Sequence, residues 1–146
     1  MVVTQIASAQ CIDLRSRILR PHQDISLCHY NEDNLNTTFH LGVLMNDKVV
    51  SNGTFIQSAH SSFPEAINPY RLRGMATDHL YQGQALGSKI LQSAEIILKS
   101  KNCNFLWFNA LETAFKFYEK NNYIPFGELF DIPLIGPHKV MYKWLS

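Results

Sequence analysis

The stretch from Tyr70 to Leu98 constrains this chain most. An extended run, Tyr70 to Thr77, leads into the turn Tyr81-Gln82-Gly83-Gln84-Ala85-Leu86-Gly87-Ser88. Apolar residues then recur at Leu86, Ile90, Leu91, Ala94, Ile97 and Leu98, the spacing of one helix face. A strand that feeds a helix through such a turn leaves the first helical N–H groups without internal partners, and the helix dipole adds partial positive charge there. Gly83 and Gly87 keep Cβ atoms away and permit unusual backbone angles. A turn of this build suits a phosphate-bearing ligand, although an ordinary strand–helix turn uses glycine in the same way. It lacks the Gly-Lys-Ser/Thr ending of a nucleotide-triphosphate loop and the three spaced glycines of a dinucleotide fingerprint.

Around this unit the chain reads as alternating elements with no repeat, linker or low-complexity segment. Residues 2–7 suit a short edge strand, and Ser8 suits the cap of a helix carrying Cys11, Leu14 and Ile18, ended by Pro21. Residues 22–36 and 58–69 read as variable loops. Thr38 to Met45 and Lys48 to Gln57 read as strands joined by a hairpin turn at Asn46-Asp47. Phe105 to Phe108 is continuously apolar, as a strand covered on both faces is. A short helix is expected from Asn109 or Ala110 through Asn121, then strands Tyr123 to Asp131 and His138 to Trp144 joined by Ile132 to Pro137. The expected fold is α/β in the α+β sense: a mostly antiparallel mixed sheet of six or seven strands with helices on both faces, in one domain, 1–146.

Bulk properties narrow the function classes. The 146 residues carry a net charge of +1, which gives no electrostatic case for nucleic acid or an anionic membrane surface. Three cysteines, Cys11, Cys28 and Cys103, are too few and odd in number for a disulfide framework, so a cytoplasmic protein is expected. No basic leader and no apolar run of membrane-spanning length is present. His22, Cys28 and His29 fit no zinc spacing, and no metal is expected.

Several motifs in order resemble one family. Gln82-x-x-Ala85-x-Gly87 is similar to the pyrophosphate loop of the GNAT superfamily, the Gcn5-related N-acetyltransferases. Leu72-Arg73-Gly74-Met75-Ala76-Thr77 resembles the family's fourth strand in one bacterial branch of small domains. Leu106-Trp107-Phe108-Asn109-Ala110 and Ala114-Phe115-Lys116-Phe117-Tyr118-Glu119-Lys120 resemble its fifth strand and fourth helix. Gly136-Pro137-His138-Lys139-Val140-Met141 resembles its ending. The likeness covers residues 70–145 well and 1–60 loosely. Two positions depart from it. Ala85 stands at a common glycine, where alanine tolerates helical angles but weakens close phosphate approach. Asn121-Asn122 replaces Leu-Gly, with asparagine able to end the helix.

The resemblance implies acetyl-coenzyme A as co-substrate, with its pyrophosphate on Gln82, Gly83, Gln84, Ala85, Leu86, Gly87 and Ser88. Its pantetheine arm would pair with backbone at Met75, Ala76 and Thr77, between splayed fourth and fifth strands. The Met75 backbone N–H would stabilise the oxyanion, while its side chain suits the core. Asn109 would bond the pantetheine or cap the following helix. Thr113 and Lys120 are weaker cofactor candidates. Tyr118 matches the tyrosine near the sulfur and is the candidate acid, against a plain aromatic packing role beside Phe117. His138 is the candidate base, against a strand-end histidine bonded to backbone or a water chain in its place. Glu128 would orient His138 or hold a cationic substrate, against a plain exposed strand carboxylate, and Arg73 would meet a substrate carboxylate, against a surface-facing strand position. Direct acetylation of a primary amine, carried by a small molecule, is the implied reaction. The alternative is a coenzyme A-binding sensor with little turnover. Many relatives dimerise, so a homodimer is a further expectation.

Overall fold

Phe39, Leu41 and Val43 alternate with His40 and Gly42 along β2 (Phe39–Met45), and this period sends the three apolar side chains to one face of a sheet. Asn46 and Asp47 both take positive φ, 52° and 66°, which matches the twist of an antiparallel hairpin and returns the chain as β3 (Lys48–Gln57). The other strands are β1 (Val3–Ile6), β4 (Tyr70–Thr77), β5 (Phe105–Leu111), β6 (Ile124–Ile132) and β7 (Gly136–Trp144). This computed structural model describes residues 1–146. It has one seven-stranded sheet in the order β1-β2-β3-β4-β5-β7-β6, in which only the β4–β5 pair is parallel.

Helices cover both faces. On one lie α2 (Leu86–Ser100) and α3 (Phe115–Lys120), packed on the main core. Leu86, Ile90, Leu91, Ala94 and Leu98 of α2 are buried there, as their spacing predicts. On the other face runs a helical segment made of a 3-10 turn (Ser8–Cys11), one α turn, α1 (Ile12–Leu14), and a π segment (Arg15–Leu19). Cys11 and Leu14 pack there against Ile6, Val49 and Ala76. The 58–69 loop folds over the same face farther along, where Phe63 meets Phe105 and Trp107. Cys11, Cys28 and Cys103 are buried and unpaired. No helix is long and apolar enough to cross a membrane.

Three local expectations change. Ser8 is not the cap of the first helical segment: Ala7 is, and its N–H donates to Gln10 Oε1 at 2.8 Å, while the Ser8 hydroxyl donates to Asn34 Oδ1. Asn109 and Ala110 do not open a helix. They continue β5 opposite Val140 and Lys139, because β7 extends far enough to pair them, and α3 starts only at Phe115 after a 3-10 turn (Glu112–Ala114). The link between the last two strands is a tight loop, since β6 reaches Ile132 and β7 begins at Gly136.

Candidate functional site

The parallel pairing of β4 with β5 covers only Tyr70 opposite Leu106 and Arg71 opposite Trp107. Beyond that point the strands diverge, and β5 turns its pairing to β7 alone. The gap is a cleft of about 260 Å³. Met75 and Gly74 line it from β4, Phe108, Asn109 and Ala110 from β5, Tyr118 from α3 and His138 from β7.

A bulge in β4 shapes its wall. Asn52 pairs with Ala76 and Thr54 with Arg73, so Gly74 and Met75 stand opposite the single residue Gly53. Gly74 has φ +65°, and the pair is lifted out of the regular ladder. A Cβ at Gly74 would stand 3.0 Å from Arg15 Nε, so the position needs glycine for its angle and for its neighbour.

Behind the bulge lies a polar network that sequence reading missed. Arg15 is fully buried on the π segment. Its Nη1 donates to Cys28 O and Asp33 Oδ2, both at 2.8 Å; its Nη2 donates to Asp33 Oδ1 at 2.9 Å and Thr54 Oγ1 at 2.7 Å. His40 Nε2 donates to the Asp33 carbonyl at 2.9 Å, so in the neutral ring Nδ1 accepts from the Thr54 hydroxyl at 2.7 Å. Burial works to raise the Asp33 pKa, but the Arg15 hydrogen bonds, the Tyr30 N–H and the Arg15 charge outweigh it and hold the carboxyl below its ordinary range. No local pattern marked Arg15; an arginine on the apolar face of a helical segment was the available signal.

Tyr118 is buried, with its ring 4.2 Å from Phe108 and 5.0 Å from Phe117. Both the packing role and the cleft position therefore hold. Burial pushes its phenol well above the ordinary tyrosine range, so it keeps its proton. His138 is buried beside Phe130, and its Nδ1 lies 2.7 Å from the Gly136 carbonyl. A carbonyl only accepts, so Nδ1 carries the hydrogen and the neutral ring keeps its lone pair on Nε2. Asn109 lines the cleft from a strand position. Glu128 is not brought to this group: it is exposed in β6, where Gly127 takes φ +79° and the register with β7 shifts between Phe126 and Phe130.

The turn follows β4 past the cleft-lining Met75. Thr77 Oγ1 bonds Ser51 Oγ at 2.8 Å, and Gln82 Nε2 donates to Thr77 O at 3.2 Å. Gly83 has φ +84° with no atom within 4 Å of a Cβ placed there. Ala85 is the cap of α2 and adopts a left-handed conformation, φ 60° and ψ 26°, in place of the right-handed helical angles expected. It offers no side-chain acceptor, and the first bond is Lys89 N–H to Ala85 O, so the N–H groups of Leu86, Gly87 and Ser88 have no partner within the helix. A Cβ at Gly87 would stand 2.9 Å from Phe117 Cζ and 3.8 Å from Met75 Sδ, so close packing against the Phe117 ring, not an unusual angle, favours glycine here. This open, donor-rich rim fits a pyrophosphate at the turn.

The profile of the Acetyltransferase (GNAT) family matches residues 5–123. A protein of Bacillus subtilis (strain 168) named uncharacterized N-acetyltransferase YitI is 41% identical over 143 residues, 98% of this chain and 95% of that one. The fold is shared with an aminoglycoside 6'-N-acetyltransferase solved with coenzyme A, at TM-score 0.80 and 14% identity over 100% of this chain and 98% of that one. It is shared also with Escherichia coli ElaA, at TM-score 0.76 and 16% identity over 98% and 99% of the two chains.

Proposed function

The chain belongs to the GNAT acetyltransferase family, and from that premise we propose that it moves the acetyl group of acetyl-coenzyme A to a primary amine of a small molecule by direct attack. The observation that carries this reading is the meeting of Met75, Asn109, Tyr118 and His138 in the one gap between β4 and β5, with Gly87 of the turn packed beside Met75.

Each residue has a part. The N–H groups of Leu86, Gly87 and Ser88, with the open Gly83, hold the pyrophosphate. Backbone at Met75, Ala76 and Thr77 takes the pantetheine as an added strand, and Asn109 bonds it from β5. Acetyl-coenzyme A supplies a thioester. The Met75 N–H, on the β4 bulge, is the donor for charge developing on its carbonyl oxygen. His138 Nε2 accepts the proton that the attacking amine must lose. As the new C–N bond forms and the C–S bond breaks, Tyr118 gives its proton to the leaving thiolate. Burial keeps the phenol protonated and available, while making it a weaker acid toward the thiolate. Glu128, exposed on β6, has no part in this account. A homodimer belongs to the same reading: β6 is an edge strand whose Ile124, Phe126, Leu129 and Phe130 are exposed, and a second copy would cover them. Three unpaired cysteines suit a reducing cytoplasm.

Titration calorimetry with acetyl-coenzyme A, followed by thiol release against a panel of amines, tests the proposal. One-to-one binding and amine-dependent release are expected. Binding without release for any amine would favour a coenzyme A-binding sensor, and no binding would overturn the reading.

A further inference from the structure

The cleft has two sides, and they differ in chemistry. On β4, Leu72 and Met75 face α2, where both approach Gly53 and Ile90. Arg71 and Arg73 face the opposite side, toward the 58–69 loop and the segment around Tyr30, and the bulge at Gly74 turns Met75 to the face of Leu72. The α2 side is where the turn and Tyr118 lie. The opposite side is therefore open to the acceptor.

That side is arginine-rich. Arg20, Arg71 and Arg73 line the cleft, and no aspartate or glutamate does. The Arg73 guanidinium lies over the Tyr30 ring at 3.9 Å, and its one carboxylate neighbour, Glu32, stands at 3.9 Å on the rim with a half-exposed side chain. Arg71 lies 5.0 Å over Trp107, and its Nε is buried without a hydrogen-bond partner. A buried donor of this kind is costly unless a ligand meets it. Burial and the Arg73 charge both push the Arg71 pKa down, a strain that a nearby anion relieves. Tyr30 also carries Arg15 on its other contact at 3.9 Å, so the ring that supports Arg73 is held by the buried network behind it.

We propose that Arg71 and Arg73, held against Trp107 and Tyr30, form a carboxylate-binding subsite, and that the acceptor is an amine carrying a carboxylate, of amino-acid size. The proposal rests on the transferase reading above. Arginine matches a carboxylate with paired donors in a fixed plane. Arg73 and Met75 flank Gly74 at the β4 bulge and line the same cleft, so a carboxylate held at Arg73 lies close to the acetyl position at Met75. A polycationic acceptor, such as the aminoglycosides named for a structural neighbour, meets three positive charges here and is disfavoured.

Calorimetric titration of the full chain with N-acetyl derivatives of the common amino acids, each beside its neutral amide, tests this without turnover. At least one acid is expected to bind about tenfold or more tighter than its amide, the worth of a charge-assisted hydrogen bond. The preference should shrink to within about threefold in Arg73→Gln and Arg71→Gln. Equal binding of every acid and its amide, or a preference that survives both substitutions, overturns the subsite. A parallel titration with acetyl-coenzyme A separates the two readings. Carboxylate preference without acetyl-coenzyme A binding supports the subsite and removes the transferase; the reverse removes the subsite alone.

Discussion

Ala85 holds a left-handed conformation that costs an L-residue with a Cβ about 1 kcal/mol. Glycine enters it without that cost but loses more chain entropy on folding. Ala85→Gly is therefore expected to raise stability by up to about 1 kcal/mol in urea denaturation, and not to lower it. The turn's position and open glycine were legible in the sequence; the hand of the backbone at Ala85 was not, because alanine gives no signal for it. His138 shows the same division. Its place at the start of a strand was readable, whereas its tautomer depends on the Gly136 carbonyl that the folded turn brings to 2.7 Å. His138→Gln is expected to lower kcat/KM by about 10²-fold with acetyl-coenzyme A affinity unchanged in calorimetry, the signature of a lost base. An unchanged kcat/KM would return the base to solvent.

At the scale of elements, Gly87 couples α2 to α3. A Cβ there would press on the Phe117 ring, one residue before Tyr118 on α3. Gly87→Ala is expected to destabilise by about 1–3 kcal/mol, read as a lower thermal midpoint, since overpacking forces one helix away. The π segment has its own signature through Arg15 and Asp33. The Asp33 pKa is lowered in the folded state, so its contribution is present above the unfolded carboxylate value near ~3.9 and is lost as pH falls through the folded value. Stability should drop below about pH 4 in the natural chain, while Asp33→Ala is expected to cost about 3–5 kcal/mol at neutral pH by stranding Arg15. Chemical denaturation across pH reads both. The hairpin β2–β3, β4 and α2 were legible from period and turn chemistry. The continuation of β5 through Asn109 and Ala110 was not, because it depends on pairing with β7, distant in sequence.

For the whole molecule, the cleft exists because β4 and β5 pair at one end and part at the other. Family motifs indicated the turn, β4 and Tyr118, all of which are local. Arg73 was readable as a carboxylate partner from its strand, whereas the seating of Arg73 on Tyr30 and of Arg71 on Trp107 joins separate segments and was not legible. Glu128 is an exposed strand carboxylate because β6 is the edge strand, solvent-facing from Ile124 to Asp131, a matter of strand order that spacing does not report. The central claim is acetyl transfer within this cleft with Tyr118 as the acid. Tyr118→Phe keeps the ring against Phe108 and removes only the hydroxyl. The direct measurement is kcat for amine-dependent thiol release in this variant, beside its acetyl-coenzyme A affinity. A fall in kcat of about 10²-fold or more with unchanged affinity is predicted; an unchanged kcat would contradict the account.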